Sequence, residues 1–351
     1  MGSPDLGDLP TRQNGSPDDP AGGLSIDPAD LANVRRLRDA VREQVGRVVV
    51  GNQSAVDTML LALMAGGHVL LEGVPGVAKT TLSKAFAQVL GLDFQRIQFT
   101  PDLMPSDITG TSVLDRKSGD FVLRKGPVFC QVLLADEINR APAKTQAALL
   151  EAMQEGQVTL EGQSMALPQP FMVMATQNPV EQEGVYRLPE AQLDRFLVRV
   201  LMGYPGREHE LNMLDLRVDA PAKVERLLSA DQIEGLRSLC PKVHGEPHLR
   251  EYIIDLALAS REHPDLLLGA SPRGALCLLR CARAHALLDG RAYFTHQDVQ
   301  AVAQYTLAHR LILRPEAEIE GRRTADVVEE LLQTVPVLDA EVQGVVGKGG
   351  R

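Results

Sequence analysis

Cysteine is scarce in this 351-residue chain, which contains four, at positions 130, 240, 277 and 281. So few cysteines suit a reducing compartment better than a disulfide scaffold, and we expect a cytoplasmic protein with buried, structural thiols. Cys277 and Cys281 lie one helical turn apart, but no second pair or nearby histidine arrangement completes a zinc site.

Long apolar runs are absent as well. The longest uncharged stretch, residues 59–71, includes Gly66, Gly67 and His68 and falls short of the ~18 apolar residues that a membrane-spanning helix needs. The N-terminal residues show no basic patch followed by an apolar run, so we expect neither a secretory signal nor a membrane span.

The chain also has fewer positive than negative side chains: 36 Lys and Arg against 46 Asp and Glu, which gives a formal net charge of -10. This balance argues against a protein that coats nucleic acid, although it does not exclude a local basic channel. Hydrophobic residues make up 44% of the chain, which is normal for a soluble globular protein, and the length fits two domains with a tail.

Composition and periodicity divide the chain into four segments. Residues 1–28 are rich in Gly, Pro, Ser and Asp and are expected to be a disordered tail, and residues 341–351 a flexible C-terminus. Residues 29–205 alternate helices and apolar strands, which predicts an α/β core with a parallel sheet covered on both faces. Residues 206–340 show helical periodicity alone and predict an all-α second domain. The predicted strands are 68–72, 94–99, 132–136, 172–176 and 196–200.

A phosphate-binding loop is predicted between the first strand and the next helix. Lys79 would reach the β- and γ-phosphates of ATP, and the Thr80 hydroxyl would bind Mg²⁺. Ala78 replaces the second glycine of the general pattern, so the loop is expected to work only if position 78 is helical, since alanine adopts a positive φ at a cost. The alternative is a glycine-rich turn without a ligand. The candidate nucleotide-binding residues are Gly73, Val74, Pro75, Gly76, Val77, Ala78, Lys79, Thr80 and Thr81.

Polar residues also follow the third and fourth predicted strands. Asp136 would hold Mg²⁺, and Glu137, which points to the other side of the strand, would polarise an attacking water. Two acids after a strand can instead be a plain helix start. The Asn178 amide would orient the water or sense the γ-phosphate, although an Asn-Pro pair also favours a simple turn.

Three segments together resemble the MoxR family of AAA+ ATPases: GVPGVAKT (73–80), LLADEINRAPAKTQAALLEAMQE (133–155) and LPEAQLDRF (188–196). The resemblance extends over about residues 30–335. It implies a P-loop AAA+ core with a five-stranded sheet in the order 5-1-4-3-2, β-hairpin insertions, a helical lid and assembly into a ring, commonly a hexamer. It also implies that alanine is common at position 78.

The resemblance further implies residue roles and partners. Asn178 would be sensor 1, Arg195 the arginine finger and Arg273 sensor 2 in the lid. The cofactors would be ATP and Mg²⁺, and the protein would be a chaperone-like remodeller of a protein client, working with a partner that carries a von Willebrand factor A domain.

The arginines can also be considered on their own. Arg195 is far in sequence from its own phosphate loop and would reach a γ-phosphate of a neighbouring subunit only in a ring. A salt bridge with Asp194 or Glu190 is the alternative, and Arg140 and Arg187 are rival interface arginines. Arg273, at a predicted helix start, would tie the lid to bound nucleotide; otherwise it is a solvated helix-start residue.

Two insertions predict β-hairpins, one around Lys117–Asp120 and one turning at Glu161 and Gly162. Such hairpins line the pore in related ring ATPases and contact clients or DNA. The second hairpin has no Lys or Arg, which argues against gripping DNA, whereas the first carries several. Its cations are Arg116, Lys117, Arg124 and Lys125. A nucleic-acid motor, a metal-chelatase motor subunit and a nucleotide-gated scaffold with little turnover remain as alternatives.

Overall fold

The computed structural model describes residues 26–114, 116–117, 119–160, 162–178, 186, 188–204, 206–215 and 224–337. The predicted disorder of most of the tail and of residues 341–351 therefore lies outside the described residues, as do Arg187 and Glu161. No helix in the described ranges is long and apolar enough to cross a membrane.

Helices and strands are interspersed over residues 28–202, and the elements described from residue 207 onward are mainly helices. The strands are β1 Val69–Gly73, β2 Phe94–Gln98, β3 Gly110–Leu114, β4 Phe121–Lys125, β5 Val132–Asp136, β6 Gln157–Leu160, β7 Gln163–Ala166, β8 Met172–Gln177, β9 Val198–Met202, β10 Leu266–Leu268 and β11 Ile312–Leu313. The helices are α1 Pro28–Gly46, α2 Gln53–Met64, α3 Lys79–Val89, α4 Pro105–Thr109, α5 Ala143–Glu155, α6 Glu190–Leu193, α7 Arg207–Asp215, α8 Ala230–Arg237, α9 Pro247–Glu262, α10 Pro272–Leu288, α11 His296–Leu307, α12 Pro315–Ile319 and α13 Thr324–Thr334.

The central sheet has the strand order β2-β5-β8-β1-β9, and every pair in it is parallel. Counted along the chain, this is the predicted order 5-1-4-3-2, which is confirmed. Every residue of β5 is buried, as expected for a strand covered on both faces. Because successive side chains alternate, Val69 and Leu71 of β1 join one hydrophobic core and Leu70 joins the other.

The lid shares one of these two cores with the α/β domain. Leu278 and Cys281 of α10 belong to the same cluster of buried residues as α1, α2 and α3. All four cysteines are buried and free, as predicted. The first and second predicted hairpins are present as β3–β4 and β6–β7.

Two details of the second domain and the sheet differ from the prediction. The second domain is helical, but it also contains a short antiparallel ribbon, β10–β11, because a three-leucine run is too short for periodicity to separate strand from helix. The fifth core strand begins at Val198, two residues later than predicted, since Phe196 and Leu197 extend its apolar sequence toward the N-terminus.

Candidate active site

The phosphate loop, residues 73–80, leaves the carboxyl end of β1 and enters α3. β1 pairs with β8 in parallel, and β8 pairs with β5, so Asp136 and Asn178 emerge at the same edge of the sheet. A Cβ on Gly73 would lie 2.3 Å from the Met202 carbonyl oxygen, so only glycine fits there. Gly76 has φ +88° and no heavy atom within 4 Å of an added Cβ, so the loop is open on that side.

The expectation that position 78 is helical is wrong. Ala78 has φ 60° and ψ 26°, which is the left-handed conformation that the second glycine of the general pattern would adopt easily. A left-handed alanine costs roughly 1–2 kcal/mol. The chain therefore keeps the loop geometry at the expense of local strain, a feature that clusters at functional sites.

Lys79 is held over the ends of two strands. Its Nζ donates to the Gly73 carbonyl at 2.6 Å and lies 3.4 Å from the Gln177 carbonyl at the end of β8. The ammonium group is thus beside the loop that would hold phosphates. Val77 is buried, whereas Pro75, Gly76 and Thr81 are exposed.

The groups proposed for magnesium lie close together. Thr80 Oγ1 is 3.4 Å from Asp136 Oδ2, and Asp136 Oδ1 accepts a hydrogen bond of 2.6 Å from Thr176 Oγ1. Two adjacent ligands of an octahedral Mg²⁺ are about 2.9 Å apart when the metal–oxygen distance is about 2.05 Å. The hydroxyl and the carboxylate therefore fit Mg²⁺ in chemistry, and their separation would have to shorten by about 0.5 Å for both to bind one ion directly.

The structure adds a competitor for the same carboxylate oxygen. Arg96 of β2 donates to Asp136 Oδ2 from Nη2 at 2.6 Å and from Nε at 3.1 Å. A cation bound between Thr80 and Asp136 would have to share Oδ2 with this guanidinium or replace it. Arg96 was not among the predicted site residues.

Glu137 is also strained and is held by two side chains. It has φ 55° and ψ 50°, and its carboxylate accepts from Gln98 Nε2 at 2.8 Å and from Arg140 Nη1 at 2.9 Å. Its side chain makes no capping bond to the following 3-10 helix. Its N–H donates to Thr176 Oγ1 at 2.8 Å, so a single threonine hydroxyl contacts both acids.

Sequence reasoning missed Arg96, Gln98 and Thr176. Arg96 and Gln98 are two residues apart on β2 and therefore face the same side, toward the acids that end β5. Two polar residues at alternate positions of a core strand were the available signal. Thr176 is buried, as is Asn178 just beyond it at 6% exposure.

Arg195 and Arg273 lie at the opposite end of the sheet. Arg195 precedes β9, and the Leu197 N–H donates to the His68 carbonyl just before β1. The phosphate loop starts at the other end of β1, about 16 Å away for a strand of this length. Ser271 Oγ lies 3.2 Å from Asp194 Oδ2, which brings the start of α10, and with it Arg273, beside Arg195.

The two arginines repel each other electrostatically. Partial burial and the charge of Arg273 lower the pKa of Arg195, while Glu151 raises it. In the part of the chain that the structure describes, neither guanidinium forms an ion pair with a carboxylate, and Asp194 pairs with Arg310 instead. Arg273 therefore lies beside Arg195 rather than beside this subunit's own phosphate loop, and its role as sensor 2 stays a prediction.

Comparison with known proteins agrees with this architecture. Residues 68–198 match the model of the ATPase family associated with various cellular activities (AAA), and residues 258–331 match an AAA lid domain. Chaperone MoxR1 of Mycobacterium tuberculosis is 44% identical over 313 residues, which cover 87% of this chain and 83% of that protein. The chain belongs to the MoxR family of AAA+ ATPases.

Further relatives support membership of the MoxR family. YeaC of Bacillus subtilis is 48% identical over 297 residues, 84% of this chain and 93% of that protein. The crystal structure of a Cytophaga hutchinsonii protein assigned as an ATPase has a TM-score of 0.83 and 43% identity, covering 88% of this chain and 97% of that one. The MoxR resemblance found in the sequence is thus confirmed.

Proposed function

We propose that this MoxR-family chain hydrolyses Mg²⁺-bound ATP at sites shared between neighbouring subunits of a ring, commonly a hexamer. The observation that carries the proposal is the convergence of the phosphate loop, Thr80 and the Asp136–Glu137 pair at one sheet edge, with Thr80 Oγ1 3.4 Å from Asp136 Oδ2. A glycine-rich turn without a ligand would not need a lysine, a hydroxyl and two acids at the same edge.

The phosphate loop and Lys79 bind the nucleotide. The backbone N–H groups of the loop and the N-terminus of α3 attract the phosphates. Lys79 gives up its hydrogen bond to the Gly73 carbonyl and donates to phosphate oxygens instead. Thr80 and Asp136 would hold Mg²⁺, which neutralises negative charge on the phosphates when bound.

Glu137 and Asn178 act on the attacking water. The Glu137 carboxylate takes a proton from the water as it attacks, and the Asn178 amide orients that water. In the structure Glu137 is bonded to Gln98 and Arg140, so it must release at least one of them to reach a water.

Arg195 and Arg273 supply positive charge to the γ-phosphate of the next subunit. Arg273 disfavours the charged form of Arg195 and Glu151 favours it only partly, so an anion from outside the chain would offset the remaining cost. Because Arg195 and Arg273 lie at the opposite end of β1 from their own phosphate loop, we infer that this anion is the triphosphate bound by a neighbouring subunit.

A protein client fits the surface of the first hairpin. Phe121 and Val122 are 74% and 52% exposed, and Val113 and Leu114 on the facing strand are about half exposed. Leu114 and Phe121 pair across one face of the hairpin, and Val113 and Val122 pair across the other, so each face exposes apolar side chains that favour binding of protein segments. We therefore propose that the ring remodels protein clients, together with a partner containing a von Willebrand factor A domain; one relative is named Chaperone MoxR1.

Replacement of the general base tests hydrolysis separately from binding. Glu137→Gln should retain ATP binding and lose ~10²–10⁴ in turnover, measured as phosphate release with Mg²⁺ and with EDTA. Glu262→Gln, an exposed acid on α9, is the control and should behave as the wild type. Wild-type turnover by Glu137→Gln would show that Glu137 is not the base.

A further inference from the structure

A buried arginine outside the active site contacts the segment that carries Arg195. The side chain of Arg310, which follows α11, is only 1% exposed. Its Nε donates to Asp194 Oδ1 at 2.8 Å, and its Nη2 lies 3.4 Å from the Asp194 carbonyl oxygen. Further along the same segment it donates to the carbonyls of Phe196, at 2.5 Å, and Leu197, at 3.2 Å.

These acceptors lie on both sides of Arg195. One guanidinium thus bonds to the residue before Arg195 and to the two residues after it, so it fixes the backbone from which the Arg195 side chain projects. The planar geometry of an arginine side chain allows several fixed acceptors to be held at once.

The same carboxylate connects Arg273. Asp194 Oδ2 accepts from Ser271 Oγ at 3.2 Å, and Ser271 is the N-cap of α10, where its Oγ also accepts from the Gly274 N–H. Arg273 is the second residue of that helix. Asp194, Ser271 and Arg310, hereafter the Asp194 cluster, therefore hold the start of α10 and the Arg195 segment together.

Burial of the charged Arg310 side chain costs free energy, and few nearby groups compensate its charge. Asp194 is the carboxylate within ion-pair distance of Arg310 in the described residues, and the neighbouring His309 adds no negative charge. Burial and the Arg310 charge lower the pKa of His309 well below its usual value, so that imidazole is neutral. Removing one partner of such a buried pair leaves the other charge without compensation, so the Arg310–Asp194 contact constrains the positions of both residues.

We propose that Arg310 is a positioning residue for ATP hydrolysis: through the Asp194 cluster it fixes Arg195 and Arg273 in the orientation that reaches the neighbouring subunit's γ-phosphate. This inference rests on the proposed function, because it requires Arg195 to act in trans. It makes the lid a structural part of the arginine pair that completes the neighbour's site.

Arg310→Lys tests the positioning role. Lysine keeps the positive charge, but its single ammonium group cannot bond all the acceptors that the planar guanidinium holds, so the Arg195 side chain should change position. A misplacement of about 1 Å can lower a rate by roughly 10²-fold, so we expect kcat to fall by about tenfold to a hundredfold. The dissociation constant for ATP and the KM should stay unchanged, because the phosphate loop is at the other end of the sheet.

Two further variants make the result specific. Arg322→Lys is the matched control, because Arg322 also bridges acids of the lid, Asp265 and Glu330, and should leave kcat unchanged. Asp194→Asn weakens the same cluster from its other side and should lower kcat in the same way. Ser271→Ala, which removes the Ser271 Oγ–Asp194 Oδ2 contact and leaves the Arg310–Asp194 pair intact, serves as the test variant if Arg310→Lys does not fold.

A combined variant separates positioning from general damage. If Arg310 acts through Arg195 and Arg273, then Arg195→Ala/Arg273→Ala/Arg310→Lys should be no slower than Arg195→Ala/Arg273→Ala. An additional loss in the triple mutant, or full activity of both Arg310→Lys and Asp194→Asn while Arg195→Ala is impaired, would overturn the positioning role only. Wild-type activity of Arg195→Ala would overturn the trans site and this inference together.

Discussion

The two ends of the central sheet hold their functional groups in opposite ways. At the carboxyl end, the two acids that follow β5 have hydrogen-bond partners: Arg96 bonds Asp136, and Gln98 and Arg140 bond Glu137. At the amino end, Arg195 and Arg273 lie beside each other, and in the described residues neither forms an ion pair with a carboxylate. The acids of one end have counterions, whereas the arginines of the other end have none within ion-pair distance in the described residues.

This difference assigns separate steps to the two ends. Under the proposed function, the carboxyl end would bind a nucleotide within one subunit, because the proposed phosphate loop, lysine and metal ligands all come from residues 73–80 and 136. The arginines of the amino end would gain an ion-pair partner from a neighbouring subunit. Substitutions at the amino end should therefore lower the rate of ATP hydrolysis, and substitutions at the carboxyl end should also weaken ATP binding.

Loss of Arg195 should have the largest effect on turnover. A finger that stabilises charge on the transferring phosphoryl group contributes ~10³–10⁵ in rate, so Arg195→Ala should bind ATP near normally and hydrolyse it poorly. Mixing Arg195→Ala with Glu137→Gln should restore activity, since mixed rings contain sites with an intact Glu137 and an intact neighbouring Arg195. Activity is measured by phosphate release and mixed assembly by sedimentation.

The mixing experiment has a clear contrary outcome. If both variants assemble together and the activity equals the sum of the separate proteins, Arg195 does not act in trans. Arg140 would be a weak replacement, because it already contacts Glu137 of its own subunit. Arg187 would then be the remaining candidate to substitute.

Loss of Lys79 should affect the other end, and binding rather than turnover alone. Lys79→Ala removes a charge-assisted contact of ~1.5–3 kcal/mol, so the dissociation constant for ATP should rise by about tenfold to 150-fold. Lys84→Ala, which removes an exposed lysine from the same helix, is the control. Fluorescent-nucleotide titration measures the ATP dissociation constants of both variants. Unchanged ATP affinity in Lys79→Ala would refute the assignment of residues 73–80 as a phosphate-binding loop.

The two ends also differ in how far the sequence predicts them. Residues 132–136 could be assigned as a strand with correct bounds, because a continuous apolar run ends in two acids. The loop and acids of the carboxyl end are short motifs, each contiguous in the chain. Their strained backbone was not predictable, because Ala78 adopts a conformation that local propensity disfavours and the surrounding fold imposes.

The contacts at the amino end could not be found by pattern alone. Arg310 and Asp194 are 116 positions apart, and nothing in the local sequence of either residue indicates the other. The placement of Arg273 likewise depends on how α10 packs against the segment before β9. Such contacts follow from the packing of the lid on the core, which periodicity does not encode.

The smallest effect we predict concerns the strain in the phosphate loop. Ala78→Gly removes a left-handed cost of roughly 1–2 kcal/mol, and the greater flexibility of glycine in the unfolded chain offsets roughly 0.5–1 kcal/mol of it. The net gain in unfolding free energy should be about 0.5–1 kcal/mol, measured from the denaturation midpoint in urea at constant slope.

Gly76→Ala is the matched reverse change, because position 76 has φ +88° and open space around an added Cβ, so backbone strain is introduced without a steric clash. It should lower stability by about 0.5–1 kcal/mol, because backbone strain of roughly 1–2 kcal/mol is partly offset by the lower flexibility of alanine in the unfolded chain, roughly 0.5–1 kcal/mol. If Ala78→Gly leaves the midpoint unchanged or lowers it while Gly76→Ala destabilises, alanine at position 78 is held by contacts of its methyl group that outweigh its strain.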